Sequence, residues 1–416
     1  MRVLRVFASL CGLGRAVVEG VDLDGGDVIV VHARPKAKER DRCGRCGRRS
    51  PGYDRGEGRR RWRALDLGTI QAYVEADAPR VRCRAHGVVV ARVPWARHGA
   101  WHTRDFEDQA AWLATQCSKS AICRLLRVSW RGVGGIVTRV VADRRARVAD
   151  PLGGLTRIGI DEISYRKGQR YIMGVIDHDT GRLVWASEGR DSRVLGEFFT
   201  LLGPERCARI ALVSCDLGGW IRSALVTHCP EAIVCMDPFH VTALASDALD
   251  VVRRDVWNAA RRRGDTAGAR WLKGARFALW KAPERLTGRQ RAKLATIQQT
   301  NRRLYRAYLL KEQLRAVFHE PDSEGAIEML DAWVAWAQRS RLPSFVKLAA
   351  TIRADREAIV ATLTHRLSNA RMEAANTTIR LITRRAYGFT SASALISLVM
   401  LTLGGLCPPL PGRSLT

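Results

Sequence analysis

Acidic residues are scarce in this chain. Asp and Glu number 41 against 69 Lys and Arg, a formal charge of +28, which disfavours a cationic partner and favours a polyanion. No apolar run is long enough to span a bilayer, so no membrane partner is expected. The apolar start, Met1 to Gly20, is broken by Arg5 and Arg15 and does not read as a signal peptide. Eleven cysteines in 416 residues are too few for a disulfide scaffold. Most stand singly in apolar runs (Cys207, Cys215, Cys229, Cys235), as small buried thiols of a reducing cytoplasm. Internal repeats and low-complexity segments are missing too. What is present is 46% hydrophobic residue content, enough for two to four domains with their own cores. The charge excess is almost all arginine, spread along the chain, and its planar fork suits phosphate. Nucleic acid is therefore the expected partner, although a GC-rich genome would also raise the arginine count.

Along the chain the pattern changes several times. Residues 1–98 read as β-rich, with strands expected at 27–33 and 70–76. Residues 103–149 turn helical, and Pro151-Leu152-Gly153-Gly154 reads as a linker. Strands are then expected at 156–161, 171–177, 183–188, 209–216 and 231–237, with helices at 192–202 and 221–228. Three strands, then helix, strand, helix and strand, is the order of an RNase H-like core. From about Val241 to Thr364 strand signals vanish, and long Trp-bearing helices suggest an all-α insertion. The expected architecture is α/β: an RNase H-like catalytic core with an all-α insertion, preceded by a zinc-finger module and a helix-turn-helix DNA-binding domain. The expected boundaries are 1–98, 99–150, 151–244 for the first part of the core, 245–362 for the insertion, 363–405 for the final core helices, and a tail at 406–416.

Where acids do occur, they fall at telling places. Asp161 closes one expected strand and Asp216 another, and Glu373 stands alone among bases, amides and small residues in Ser368-Asn369-Ala370-Arg371-Met372-Glu373-Ala374-Ala375-Asn376. If the two strands are neighbours, their terminal carboxylates meet at one sheet edge. Converging carboxylates hold hard Mg²⁺ or Mn²⁺ ions, and a pair of such ions serves phosphodiester displacement. Taken singly, each acid could equally begin a loop or cap a helix, and Glu373 could pair with a neighbouring Arg. Asp237 competes with Asp216 for the second position, and with His240 it otherwise supports the site or positions DNA. Arg371, Arg384 and Arg385 are expected on the DNA backbone.

Cys43-Gly44-Arg45-Cys46 and Cys83-Arg84-Ala85-His86 are two paired half-sites, which together supply four ligands for a closed tetrahedral Zn²⁺. A redox dithiol would not need the second pair. Between them Arg59-Arg60-Arg61-Trp62-Arg63 is a basic run with one aromatic, expected to meet DNA. Further on, Ser118 to Leu126, a turn at Val128-Ser129-Trp130, and Arg131 to Arg139 fit a helix-turn-helix with Ser129, Trp130, Arg131 and Arg139 on or near the reading helix. An ordinary helical bundle would give the same pattern.

Asp161-Glu162 with Arg166-Lys167-Gly168 and Tyr171, then Asp216, then Asp237-Pro238-Phe239-His240-Val241, resembles the ISL-three family of bacterial insertion-sequence transposases. So does Ser368-Asn369 followed by Glu373, Asn376 and Arg384-Arg385-Ala386-Tyr387-Gly388-Phe389. The resemblance covers nearly the whole chain. It implies a DDE transposase that nicks at element ends and joins the 3′-OH to target DNA, with Asp161, Asp216 and Glu373 as the triad and a structural zinc finger in front. It implies terminal inverted repeats and target DNA as partners, a homodimer or higher assembly on DNA, and a place on the bacterial nucleoid. The chain has Ala370 and Ala374 where similar sequences often carry glycine. A zinc-finger regulator with an inactive core, or a structure-specific nuclease, are the other readings of the same parts.

Overall fold

The computed structural model describes residues 2–216 and 218–413. Met1, Leu217 and the last three residues of the expected tail lie outside the described residues. The chain opens on α1 (Arg2–Leu10) and strands β1 (Ala16–Asp24), β2 (Val28–Pro35), β3 (Gly52–Asp54), β4 (Arg59–Arg63), β5 (Gln71–Asp77), β6 (Arg80–Cys83) and β7 (Gly87–Val90). These make a four-stranded sheet, β1-β2-β5-β4, and a separate three-stranded one, β3-β6-β7. Strict alternation along β5 sends Ala72, Val74 and Ala76 inward, against Trp62 and Trp95. The two strands expected here are β2 and β5. Of the other five, β4 and β6 are masked by arginines, β3 and β7 are only three and four residues long, and β1 is interrupted by Glu19 and Gly20.

Next come α2 (Arg104–Gln116), α3 (Lys119–Leu126) and α4 (Trp130–Arg145). The hydroxyls of Thr103, Ser118 and Ser129 each accept from a backbone N–H three residues on, and so start the three helices. Arg127, in the left-handed region at φ 51°, ends α3 and sets up the turn.

A five-stranded sheet follows: β8 (Arg157–Arg166), β9 (Arg170–Asp177), β10 (Leu183–Glu188), then α5 (Ser192–Leu202), α6 (Pro204–Cys207), β11 (Leu212–Cys215), α7 (Gly219–His228) and β12 (Ile233–Met236). The strand order is β10-β9-β8-β11-β12. β8, β9 and β10 are antiparallel neighbours, whereas β11 runs parallel to both β8 and β12. One expectation needs correcting. Asp161 does not end its strand, because β9 continues to pair with β8 as far as Arg166. Pairing of β11 with β8 stops at Gly159, so Asp161 still sits just past the end of β11.

From β12 the chain passes directly into α8 (Pro238–Arg262), which runs unbroken through position 245. There follow α9 (Thr266–Gly274), α10 (Arg276–Trp280), α11 (Gly288–Thr300), α12 (Arg302–Val317), α13 (Ser323–Arg339), α14 (Pro343–Ala354) and α15 (Arg356–His365). Their shared core is built round Trp333, which is fully buried and whose indole N–H donates to the Leu310 carbonyl at 2.7 Å. The last helices are α16 (Ala370–Arg385) and α17 (Ala392–Leu403). α16 lays Met372, Ala375 and Ile379 on one face of the five-stranded sheet, and α5 and α7 cover the other. The described residues thus form a mixed α/β protein, and none of the described helices is long and apolar enough to cross a membrane.

Candidate functional site

The acids gather at the end of the sheet where β11 and β12 stop. Asp161 reaches it from β8, Asp216 from the residue after β11, Asp237 from the residue after β12, and Glu373 from the first turn of α16. Alternation along β8 puts Gly159, Asp161 and Ile163 on the α16 side, and Ile158 and Ile160 on the other. His240 sits between two of the acids, with Nδ1 3.6 Å from Asp216 Oδ2 and Nε2 3.9 Å from Asp237 Oδ2. Burial, and next to it the neighbouring negative charge, raise Glu162 above the ordinary carboxylate range. Burial likewise raises Asp161, against the hydrogen bond from the Glu162 N–H, and raises Glu373, with Asp237 adding to the effect. These are carboxylates crowded together without enough positive charge to balance them.

Two asparagines, to which the sequence reading gave no role, organise this cluster. Asn369 begins α16 and is fully buried. Its Oδ1 accepts from Ser214 Oγ at 2.8 Å and its Nδ2 donates to the Ile160 carbonyl at 3.3 Å. Ser214 in turn lies 2.7 Å from His178 Nε2. The network therefore ties the start of α16 to β8, β11 and the turn after β9. Gly159 makes room for it: a Cβ there would lie 2.8 Å from His178 Nε2 and 2.9 Å from Asn369 Oδ1. One turn beyond Glu373, Asn376 donates from Nδ2 to Asp161 Oδ2 at 2.7 Å and fixes that carboxylate. Asn369, Glu373 and Asn376 are spaced 0, 4 and 7, one helical face, and that spacing was readable in the sequence. Ala370 and Ala374 are exposed positions of regular helix, so nothing there requires glycine.

In the N-terminal part the second pair of ligands, Cys83 and His86, flanks the β6–β7 turn, and Cys43 and Cys46 come from the loop before β3. Cys46 Sγ is 3.7 Å from Cys83 Sγ, and His86 Nδ1 is 3.7 Å from Cys43 Sγ and 3.6 Å from Cys83 Sγ. A tetrahedral zinc with ordinary bond lengths requires edges of about 3.8 Å between sulfurs and about 3.6 Å from sulfur to nitrogen. The four donors fit structural Zn²⁺, and all lie within 4.8 Å of one another. Among the described residues the carboxylates of the sheet edge do not converge so tightly on one point.

The residues expected on DNA fare unevenly. Trp62 is 2% exposed and packs edge-on against Trp95, so it cannot stack on a base. Arg63 is buried against Asp66. Arg59 and Arg61 both pair with Glu75, and Arg60 lies over the Trp101 ring at 4.0 Å. The run belongs to β4 of the larger sheet, not to the zinc module's strands, because its alternation completes that sheet's core. On α4, Ser129 is occupied as the cap, and Arg139 is drawn to the buried Glu107, with Nη2 at 2.6 Å. Trp130 and Arg131 remain exposed, Trp130 with the Lys119 ammonium 4.8 Å from its ring. Arg371 donates to the His178 carbonyl, and Arg385 donates to the Ala114 and Thr115 carbonyls at 3.0 Å, closing the end of α2. Both are structural in this form of the protein. Arg384 has no such partner among the described residues.

Comparison with known proteins agrees with this division. A transposase model of the ISL3 (ISL-three) family matches residues 158–399, the helix-turn-helix model of the same family matches 91–141, and a zinc-finger model of the IS204, IS1001, IS1096 and IS1165 transposases matches 39–86. The chain is 52% identical over 438 aligned residues to the transposase for insertion sequence element IS1557 of Mycobacterium tuberculosis, covering 99% of this chain and 98% of that one. It is 26% identical to the transposase for IS1001 of Bordetella parapertussis, over 92% of this chain and 94% of the relative. With a zinc ribbon, a helix-turn-helix and a transposase domain in that order, the chain belongs to the ISL-three family of insertion-sequence transposases.

Proposed function

We propose that this transposase cuts DNA at the terminal inverted repeats of its element and joins the freed 3′-OH to target DNA, using Asp161, Asp216 and Glu373 to hold two Mg²⁺ or Mn²⁺ ions. The observation that carries the reading is topological: β8, the end of β11 and the first turn of α16 bring Asp161, Asp216 and Glu373 to the same end of one sheet. The strand order, with three antiparallel strands followed by two parallel to the first, supports an RNase H-like core. The donor set fits the ions: all ligands are carboxylate oxygens, and burial leaves Asp161 and Glu373 wanting positive charge. Bound there, such ions activate the attacking oxygen and neutralise charge on the leaving one. Asn376 orients Asp161, and Asn369 sets the register of the helix that carries Glu373.

Asp216 is assigned in preference to Asp237 because the two differ in freedom. The Asp216 side chain is 43% exposed, where a phosphodiester can arrive, whereas Asp237 is 3% exposed. Asp237 accepts from the Phe239 and Asn369 N–H groups, both at 3.4 Å, and so anchors α8 and α16. Its Oδ2 has no hydrogen-bond partner and faces His240, whose imidazole bridges the two aspartates. Trp130 and Arg131 are the exposed groups through which α4 reads the repeat, and joining two ends calls for at least two copies on DNA. In a bacterial cell the working protein is then found on the nucleoid.

Strand-transfer assays on the element's own ends test this. Alanine at Asp216 and at Glu373 is expected to abolish both Mg²⁺-dependent cutting and joining, with zinc content unchanged. Survival of either step in the double variant overturns the assignment. Loss at Asp237 with activity retained at Asp216 reverses the order of the two aspartates.

A further inference from the structure

The positive charge of this protein is not evenly distributed, and its unevenness is structural. Residues 151–244, which build the five-stranded sheet, hold ten Lys and Arg against eleven acids. Residues 304–362, the second half of the helical insertion, hold eight against eight. Residues 261–303, between them, hold thirteen Lys and Arg against two acids, Asp265 and Glu284. A genome-wide bias towards arginine would have raised all three segments together.

The fold then leaves this charge unspent. The segment comprises the end of α8, then α9, α10 and α11, which pack together with Ala260, Leu272, Leu279 and Ile297 turned inward. All thirteen cations except Lys293 are exposed. Lys293 donates to the Gly274 carbonyl at 3.0 Å and staples α11 to the end of α9. Among the described residues, only Arg303 forms an ion pair, with Asp255. Neither local acid neutralises the surface: Asp265 caps α9 through the Gly268 N–H, and Glu284 pairs with Arg315 on α12. The guanidinium carbon of Arg276 lies over the Trp280 ring, 3.7 Å from its centroid, and that of Arg261 stands 5.0 Å from the Trp257 ring. Stacking of this kind holds a guanidinium in place while leaving its N–H edge free.

We propose that the α9–α11 end of the insertion is a second DNA-binding surface, one that grips the phosphate backbone of duplex DNA without reading its sequence. It rests on the transposase reading above, and extends it by assigning the helical insertion a partner. Uncompensated arginines on a rigid helical body match a polyanion of regular phosphate spacing. No base-reading motif accompanies them. In the zinc ribbon and helix-turn-helix, by contrast, several arginines are spent on internal ion pairs, among them Arg59 and Arg61 with Glu75 and Arg139 with Glu107.

The test uses the full-length protein and a quadruple variant, Arg270→Gln, Lys273→Gln, Arg289→Gln and Arg291→Gln, with binding followed by fluorescence anisotropy over a salt series. The probe is a duplex of arbitrary sequence, roughly 40 base pairs long, on which each lost phosphate contact removes about 0.9 from the slope of log affinity against log salt. The slope is expected to fall by about 3 to 4 and the affinity at physiological salt by at least about tenfold. A matched variant that keeps the charge (the three arginines to Lys, Lys273→Arg) is expected to retain the wild-type slope. An unchanged slope in the Gln variant overturns the proposal, and so does equal loss in the charge-keeping variant, which would mark a folding defect. Displacement of the duplex by polyglutamate at equal charge concentration also overturns it, in favour of an acidic protein partner. Cutting of the element's own ends is scored separately. Failure of the wild type to cut sinks the catalytic reading, whereas normal cutting with an unaltered slope sinks this proposal alone.

Discussion

Replacing Asn369 with alanine removes a buried amide that joins four pieces of backbone. Two hydrogen bonds disappear, from Ser214 Oγ and to the Ile160 carbonyl, and both partners stay buried. Each lost bond costs about 1 kcal/mol; Ser214 keeps His178 as a partner, so only the Ile160 carbonyl is left short and adds about 1 more, for a total near 3 kcal/mol. The loss is local, because the amide fastens the start of α16 to β8 and β11 and not to the helical insertion. Hydrogen–deuterium exchange is therefore the assay. The first turn of α16 and the amides of β11 are expected to exchange about 100-fold faster, the factor corresponding to that free energy. Cutting activity should fall with it, since Glu373 lies in that turn. Gly159→Ala supplies an independent wedge in the same network and should produce the same exchange pattern. If protection of α16 stays within a few-fold of wild type in both variants, the network does not hold the helix and the reasoning is wrong.

Three further expectations follow from the same geometry. Asn376→Ala frees the Asp161 carboxylate, and the Mn²⁺ concentration needed for half-saturation, read by paramagnetic resonance, should rise about 10- to 100-fold with the melting temperature little changed; an unchanged Mn²⁺ titration would remove Asn376 from the site. Burial, with Arg157 and Arg371 nearby, pushes His178 down to about 4, below its unfolded value. The unfolded chain then binds the extra proton first, so the contribution of His178 is present above about pH 6.5 and is lost as pH falls toward about 4, worth up to about 3 kcal/mol. His178→Gln should flatten the thermal-stability profile across that window, and an identical profile in the variant refutes the assignment. Arg139→Ala should lower the melting temperature by the equivalent of about 2 kcal/mol, because Glu107 is left with less compensation. Arg131→Ala should leave stability alone and weaken binding to the element's ends. Reversal of these two effects would exchange their roles.

The acids singled out from the sequence are ones that the fold brings to one end of a sheet, and the reason is physical. A carboxylate following an apolar run is costly unless it comes out at a sheet edge, so Asp161, Asp216 and Asp237 marked that edge before its strands were known. The cysteine and histidine pairs were equally legible, because metal chemistry fixes spacing. The arginines were not. Arg63, Arg139, Arg371 and Arg385 look alike in a linear chain, and only the fold reveals that Asp66, Glu107, the His178 carbonyl and the end of α2 lie within their reach. Trp62 misled for a related cause: flanked by arginines on both sides, it reads as exposed, yet in a strand every second residue turns inward. Asn369 and Asn376 carry no charge to draw attention, and their value lies in partners more than 150 residues away.

The two carbonyl contacts of Arg385 have a consequence for where a cut can fall. Arg385 is at the far end of the helix that begins beside Glu373, and it clasps the end of α2, while α17 packs on α4. The proposed reading helix, α4, and the proposed cutting centre are thereby joined through packed helices, α16 against α2 and both α2 and α17 against α4, not through a flexible tether. Under the proposed roles, a protein built this way measures: the bond it breaks is expected at a set distance along the duplex from the bases it recognises. Base pairs inserted between the two should not be skipped over by a stretching linker, and the break should keep its count from the recognised sequence.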